Sequence, residues 1–279
     1  MAPTTKMAAK TTTKTRAGGK SKAGTSVPVT VLLGGRDAAR KEWHLAEEVP
    51  VNLAYNGRPH VVMMATPDDL EDFAVGFSLS EGVLTSAKIV RGITVEHVKG
   101  GIMVDVATAS RAEVVRERQA RSLEGRSGCG LCGMQRLDQV VRNVQPVHAG
   151  FEISTDAIAC AFESLPERQK MNRLNHSVHA AAWADAQGEI LLIREDVGRH
   201  NALDKLIGAL SREGVDPTMG FCVMTSRCSF ELVQKSAAIG IPYLATVSAP
   251  TALALDLAER AGMVLASLSP DGVVLFEAG

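Results

Sequence analysis

Apolar and polar positions alternate along this chain in blocks that change period, and each block predicts an element. Residues 27–33 are apolar and β-branched until Gly34-Gly35 break the run, which predicts an edge strand or ordered lead-in. Residues 49–53 and 60–64 flank Asn56-Gly57, a pair that tolerates the positive φ of a tight turn, so they predict a hairpin. Thr66-Pro67-Asp68-Asp69 then carries a hydroxyl cap, a first-turn proline and a carboxylate three residues after the cap, which predicts a helix start. Leu70, Phe73, Ala74 and Phe77 follow at helical spacing on one face, and Gly82 marks the stop. Residues 89–93 and 102–107 predict two more strands.

The second half is more regular. Ser154 or Thr155 caps a predicted helix with Ile158, Ala159, Phe162 and Leu165 on its apolar face and Pro166 at its end. Residues 178–183 and 189–193 predict strands joined by a turn at 185–188. A helix with Leu203, Leu206, Ile207 and Leu210 comes next, then a strand over 221–225 and a helix with Phe230, Val233 and Ala237. A strand over 241–247, a helix marked by Leu253, Leu257 and Ala261, and a strand over 263–268 close the alternation. Strands alternating with helices imply an α/β fold, a layered sheet that is at least partly parallel. Ligands of such sheets bind beyond strand C-termini, so the strand-exit loops are the places to look for chemistry.

Composition changes this picture in two places. The 46% hydrophobic content supports a real core in 279 residues without metal or disulfide. The net charge of −1 conceals an asymmetry: six of the 30 basic residues, Lys6, Lys10, Lys14, Arg16, Lys20 and Lys22, fall within residues 1–26 where there is no acid, leaving the remainder at −7. That Thr/Ala/Gly-rich tail has almost no large side chain to bury, so it is expected to be a disordered extension, with a nucleic-acid arm as the sharper alternative. The tail lacks the apolar stretch of a secretory signal, and no run of apolar residues suggests a membrane span. Five cysteines without an export signal favour reduced thiols in the cytoplasm. Residues 111–126, with five arginines and three glutamates, read as an exposed connector. The expected organisation is a basic tail (1–26), a mainly β lobe with a helix (27–110), a linker (111–150) and an α/β lobe (151–279).

Two regions carry candidate chemistry. Ser127-Gly128-Cys129-Gly130-Leu131-Cys132-Gly133 sets two thiols among three glycines; such a pair can exchange disulfides, hold half a zinc site, relay a persulfide or simply be inert. A zinc site needs more ligands than this pair supplies; no second Cys-x-x-Cys exists, although His176 and His179 could in principle complete a four-ligand site. The other region is the set of strand exits. Arg194-Glu195-Asp196-Val197-Gly198-Arg199-His200-Asn201 leads into a helix, where free N–H groups bind anions while Arg199 and Lys205 add charge; Asp196 either accepts from a base or sugar or caps the helix. Thr225-Ser226-Arg227-Cys228-Ser229 and Val247-Ser248-Ala249-Pro250-Thr251 read as small polar turns before helices, and three such turns on one edge would surround a phosphorylated ligand. Lys235 reaches that ligand or lies on the surface. Cys222 and Cys228 read as packing residues.

At these residues the sequence resembles the FdhD family, sulfurtransferases that mature the molybdenum cofactor of formate dehydrogenase. The resemblance rests on Glu47-Glu48-Val49-Pro50, Asn56-Gly57, Thr66-Pro67, Gly76-Phe77, Glu81-Gly82, the cysteine loop, residues 194–201, residues 229–235 and residues 247–251. It implies a two-lobed, cytoplasmic protein, usually dimeric, whose C-terminal lobe is cytidine-deaminase-like. It further implies that Cys129 and Cys132 take sulfur from a cysteine desulfurase and deliver it to bis-molybdopterin guanine dinucleotide for formate dehydrogenase. Guanosine phosphates are expected as partial ligands. His179, Asp196, Arg199, His200, Asn201, Ser226, Arg227, Ser229, Lys235, Ser248 and Ala249 are the implied cofactor contacts. A non-enzymatic cofactor chaperone, or a redox or zinc protein, is the alternative. One departure stands out: family members commonly carry Thr-Gly-Gly before the histidine matching His179, where this chain has Asn175-His176-Ser177.

Overall fold

In the computed structural model the described residues are 25–33, 36–109 and 144–276. The basic tail, the arginine-rich connector and the Cys129/Cys132 loop lie outside them. The chain opens with a two-stranded antiparallel ribbon, β1 (Ser26–Leu33) and β2 (Arg36–His44). Next come β3 (Val49–Tyr55) and β4 (Arg58–Ala65), the predicted hairpin; Asn56 (φ 51°) and Gly57 (φ 77°) are both left-handed, as a turn matching the twist of its strands requires. With β5 (Val90–Val98) and β6 (Gly101–Thr108) they form a four-stranded sheet in the order β4-β3-β6-β5. Helix α1 (Leu70–Ser80) covers one face of it with Leu70, Phe73, Ala74 and Phe77.

The predicted cap of α1 is corrected. The helix starts at Leu70, its N-cap is Asp69 in a left-handed conformation, and no side chain caps it. The Thr66 hydroxyl is engaged elsewhere, with Asp196 and Lys205 of the other lobe.

The second lobe contains α2 (Thr155–Arg168), the short α3 (Asn172–Asn175), β7 (His179–Asp185), β8 (Ile190–Asp196), α4 (Arg199–Glu213), β9 (Gly220–Cys228), α5 (Phe230–Ala238), β10 (Tyr243–Pro250), α6 (Ala252–Ala261), β11 (Val264–Ser269) and β12 (Gly272–Phe276). Its six-stranded sheet runs β12-β11-β10-β9-β7-β8. Strands β9, β10 and β11 are parallel neighbours and the other pairings are antiparallel, the partly parallel sheet that the alternation predicts. Ser154 caps α2 by accepting from the Ala157 amide. Pro166 lies inside α2, which runs on to Arg168, and the inward residue beside Ile158 is Ala161 rather than Ala159. On α6 the buried face is Ala254, Leu257, Ala258 and Ala261, with Leu253 exposed.

Helix α2 packs on one face of this sheet and α4, α5 and α6 on the other. Helix α4 is buried from His200 through Leu210, all round, because α1 lies on its far side. Two glycines permit that approach: a Cβ on Gly76 would fall 1.6 Å from the Asp204 carbonyl oxygen, and one on Gly208 would fall 1.9 Å from that of Asp72. The two lobes therefore meet backbone to backbone along α1 and α4.

Candidate functional site

Topology gathers the strand exits at one edge. Because β8 is antiparallel to β7, and β7 to β9, the C-terminal ends of β8, β9 and β10 and the start of β7 share that edge. His179 pairs with Asp196 across β7 and β8, while Arg227 pairs with Ser248 and Cys228 with Pro250 across β9 and β10. The two polar stretches read as turns are corrected here: β9 continues through Cys228 and β10 through Pro250, so Ser226, Arg227, Ser248 and Ala249 are strand residues, with Arg227 paired to Ser248 and the register shifting on either side of Ser248. Arg227, Ser248 and Ala249 are exposed, and Ser226 is buried with its hydroxyl on the Arg227 carbonyl.

Two helices open onto this edge without side-chain caps. Gly198 is the N-cap of α4 and Ser229 that of α5, and neither closes its first turn with a side chain; at α6, by contrast, Thr251 accepts from the Ala254 amide. Uncapped N–H groups at helix starts favour an anion. Arg199 is the first residue of α4, and its buried Nε has no hydrogen-bond partner in the structure. His200 is 3% exposed, and neither ring nitrogen is hydrogen bonded. Its Nε2 lies 3.9 Å from Glu231 Oε2. Burial pushes the His200 imidazole below its ordinary value, with Glu231 opposing. Burial would raise the Glu231 carboxyl, but His200 and Ser229 beside it prevail and hold it at about 2. His179 is lowered by burial first, then by the charges of Arg199 and His200. Its Nδ1 is 3.4 Å from Thr225 Oγ1, which accepts from the Ala180 amide.

Three predicted contact residues sit deeper. Asp196 is 0% exposed: Oδ2 accepts from the Thr66 amide (3.0 Å) and hydroxyl (2.8 Å) and pairs with Lys205 Nζ (2.7 Å), while Oδ1 accepts from Gly198 N (2.8 Å) and Asn201 Nδ2 (2.9 Å). Asn201 also donates to the Met64 carbonyl at 2.7 Å. Lys235 is buried between Asp204, at 2.8 Å from both oxygens, Ser80 Oγ (3.0 Å) and Glu81 (3.1 Å). These side chains join the lobes and lie behind the edge; the reading of Lys235 as a surface residue is excluded. A third cluster sets Asp72 between Arg194 (2.7 Å) and Arg212. Thr66, Ser80, Asp72 and Asp204 were missed as site neighbours. The available signal was Asp204-Lys205 within the apolar run of α4, a charged pair that only a helix buried on all sides would enclose.

The Asn175-His176-Ser177 departure also has a structural counterpart. His176 adopts φ 52°, a conformation in which glycine is unstrained and other residues cost roughly 1–2 kcal/mol. Its ring lies 5.4 Å from that of Trp43 on β2. Glu195 holds the preceding turn by accepting from the amides of Met171 (2.8 Å) and Asn172 (2.9 Å). No cluster of His, Cys, Asp and Glu among the described residues could hold a metal, and the thiols of the zinc alternative lie outside them. Cys222 and Cys228 are both fully buried; burial raises both thiols, Cys228 to about 12, which suits packing. No helix among the described residues is long and apolar enough to cross a membrane.

Comparison with known proteins agrees along most of the chain. Residues 46–273 match the model of the FdhD/NarQ family. The sulfur carrier protein FdhD of Xanthomonas euvesicatoria is 49% identical over 238 residues, covering 85% of this chain and 84% of the relative. That of Cupriavidus necator is 53% identical over 222 residues, covering 80% and 77%. Among solved structures, a candidate formate dehydrogenase accessory protein from Desulfotalea psychrophila shares the fold with a TM-score of 0.74 at 24% identity, over 92% of this chain and 98% of that one. With a family model spanning well over half its length and relatives near half identity, the chain belongs to the FdhD/NarQ family.

Proposed function

We propose that this protein is a sulfur carrier acting in formate dehydrogenase maturation, and that its substrate is bis-molybdopterin guanine dinucleotide, held at the strand-exit edge. The observation that carries the ligand half is the pair of uncapped helix starts at Gly198 and Ser229, set beside Arg199, Arg227 and a buried His200 whose ring nitrogens make no hydrogen bond. Phosphates satisfy N–H groups and guanidinium together, so a guanosine phosphate is the natural partial ligand. In this reading His179, Arg199, His200, Ser229, Arg227, Ser248 and Ala249 face the ligand, with Ser226 beside them. Asp196, Asn201 and Lys235 support it from behind. The relatives' name, sulfur carrier protein, supports the other half.

Sulfur loading is thiol exchange. A thiolate of Cys129 or Cys132 attacks the outer sulfur of a desulfurase persulfide; a new S–S bond forms, the old one breaks, and the desulfurase cysteine leaves as thiolate, with no net oxidation. We assign residues 27–110 to the β-rich lobe, 111–150 to the linker with the cysteine loop and 151–279 to the cofactor lobe, which we read as cytidine-deaminase-like. We also read the protein as a cytoplasmic dimer. The test incubates it with a cysteine desulfurase and labelled cysteine and compares wild type, Cys129→Ala, Cys132→Ala and the double variant by intact mass. Label that is removed by reductant and absent from the double variant is expected. Equal labelling of the double variant, or stoichiometric zinc in the native protein, would overturn the assignment. Calorimetry with guanosine diphosphate tests the ligand half: Arg227→Ala weakens binding, and no binding to wild type rejects the edge as the site.

A further inference from the structure

We propose that Thr66, a residue of the β-rich lobe, is a positioning residue for the ligand turn at 196–201, setting from the opposite lobe how the start of α4 is presented. This rests on the reading of that turn as part of the ligand site.

The chain of contacts is short and saturated. Thr66 offers a hydroxyl hydrogen to Asp196 Oδ2 (2.8 Å), and its hydroxyl oxygen accepts from Lys205 Nζ (2.7 Å). Lys205 Nζ also reaches the Thr66 carbonyl (3.1 Å) and Asp196 Oδ2 (2.7 Å), so its three protons have partners. Asp196 passes the constraint on through its other oxygen, which holds Gly198 N and Asn201 Nδ2. Gly198 is the N-cap of α4, and a Cβ there would lie 3.1 Å from Asn201 Nδ2, so the turn has little room to relax. Thr66, Asp196 and Lys205 are at most 1% exposed, which excludes bulk water as a substitute partner. Removing the Thr66 hydroxyl deprives Asp196 Oδ2 of a donor and Lys205 of an acceptor at once. Lys205 can turn to the Glu195 carbonyl at 3.4 Å, but the donor that Asp196 Oδ2 loses is replaced only if Asp196 moves, and Gly198 moves with it.

A separate junction also joins the lobes, where Arg212 of α4 pairs with Glu71 and Asp72 of α1; none of these residues belongs to the 196–201 turn, so Arg212→Ala serves as the control for general loosening. In the full-length protein, Thr66→Val should speed at least tenfold the hydrogen exchange of the Gly198 amide, which donates to Asp196, and of the Ala202 amide, which donates to the Gly198 carbonyl, and should weaken guanosine diphosphate binding at least tenfold. Thr66→Ser should restore both to within twofold of wild type. Arg212→Ala should lower the melting temperature yet leave both readouts within twofold. Unchanged exchange in Thr66→Val, failure of serine to rescue, or an equal effect of Arg212→Ala would each overturn the proposal. If Thr66→Val does not fold, Thr66→Ala carries the same comparison. Absence of nucleotide binding by wild type would reject the ligand reading, while amide exchange would still decide the positioning role.

Discussion

His179 shows how a single residue's surroundings set its chemistry at this edge. Burial and the neighbouring cations depress its imidazole, so without ligand it is neutral near pH 7. A phosphate bound beside Arg199 would favour the charged form and raise that value, so binding takes up a proton as pH falls through the window between the ligand-free and ligand-bound values. Guanosine diphosphate should therefore bind more tightly at pH 6 than at pH 8, by about fivefold if one full charge is gained near the phosphates. Calorimetry in buffers of differing ionisation enthalpy should register the proton uptake, and His179→Asn should reduce it to what His200, the other depressed imidazole at this edge, contributes. His179 could be picked out from the sequence as a site residue. Its depressed value could not, because the burial that mainly causes it comes from packing between strands, and the Arg199 charge that adds to it stands on α4, twenty residues away along the chain and adjacent only once β7 and β8 pair. Thr66 is the reverse case: its local pattern reads as a helix cap, but a buried carboxylate and ammonium from another lobe compete for the same hydroxyl and win.

Among the elements, α1 and α4 are the pair on which the architecture turns, and their glycines allow a sharp test. Gly208→Ala would place a methyl carbon 1.9 Å from the Asp72 carbonyl, a backbone atom that cannot swing aside as a side chain would. The helices would have to separate, and denaturant unfolding should show a loss of about 3 kcal/mol or more. Gly82→Ala meets nothing within 4 Å but sits at φ 65°, so it should lose only about 1 kcal/mol, from backbone strain alone. Helices and strands with one apolar face were legible because their period is local: Leu203, Leu206, Ile207 and Leu210 all point inward as spaced. Strand β2 was not, since Arg-Asp-Ala-Ala-Arg-Lys-Glu-Trp-His has no apolar alternation and pairs with β1 alone, outside either sheet. Strand β12 went unread for a related reason: it is an edge strand, and its Val274 is exposed. The exits of β9 and β10 read as loops in the sequence because small polar residues resemble turns, whereas parallel pairing carries both strands further.

At the scale of the molecule, two lobes are fastened by buried charge on either side of a helix contact, and buried charge is costly unless every member is paired. Lys235 with Asp204, Ser80 and Glu81 is the cluster best suited to measure how much that fastening holds. Burial would lower the Lys235 ammonium, but Asp204 and Glu81 outweigh it and raise it above its ordinary value. The sign follows: the contribution is fully present below the unfolded lysine value near 10.4 and is lost only as pH rises through the higher folded value. Lys235→Met strands Asp204, which is 1% exposed, and should cost about 3–5 kcal/mol in urea unfolding near pH 7. Adding Asp204→Leu removes the stranded charge, so the double variant should be clearly more stable than the sum of the two single losses predicts. If the lobes unfold as one cooperative unit, each variant gives a single transition whose slope with denaturant is unchanged from wild type. A second transition in Lys235→Met would mean that this cluster, more than the α1–α4 glycine contact, is what makes the two lobes unfold together.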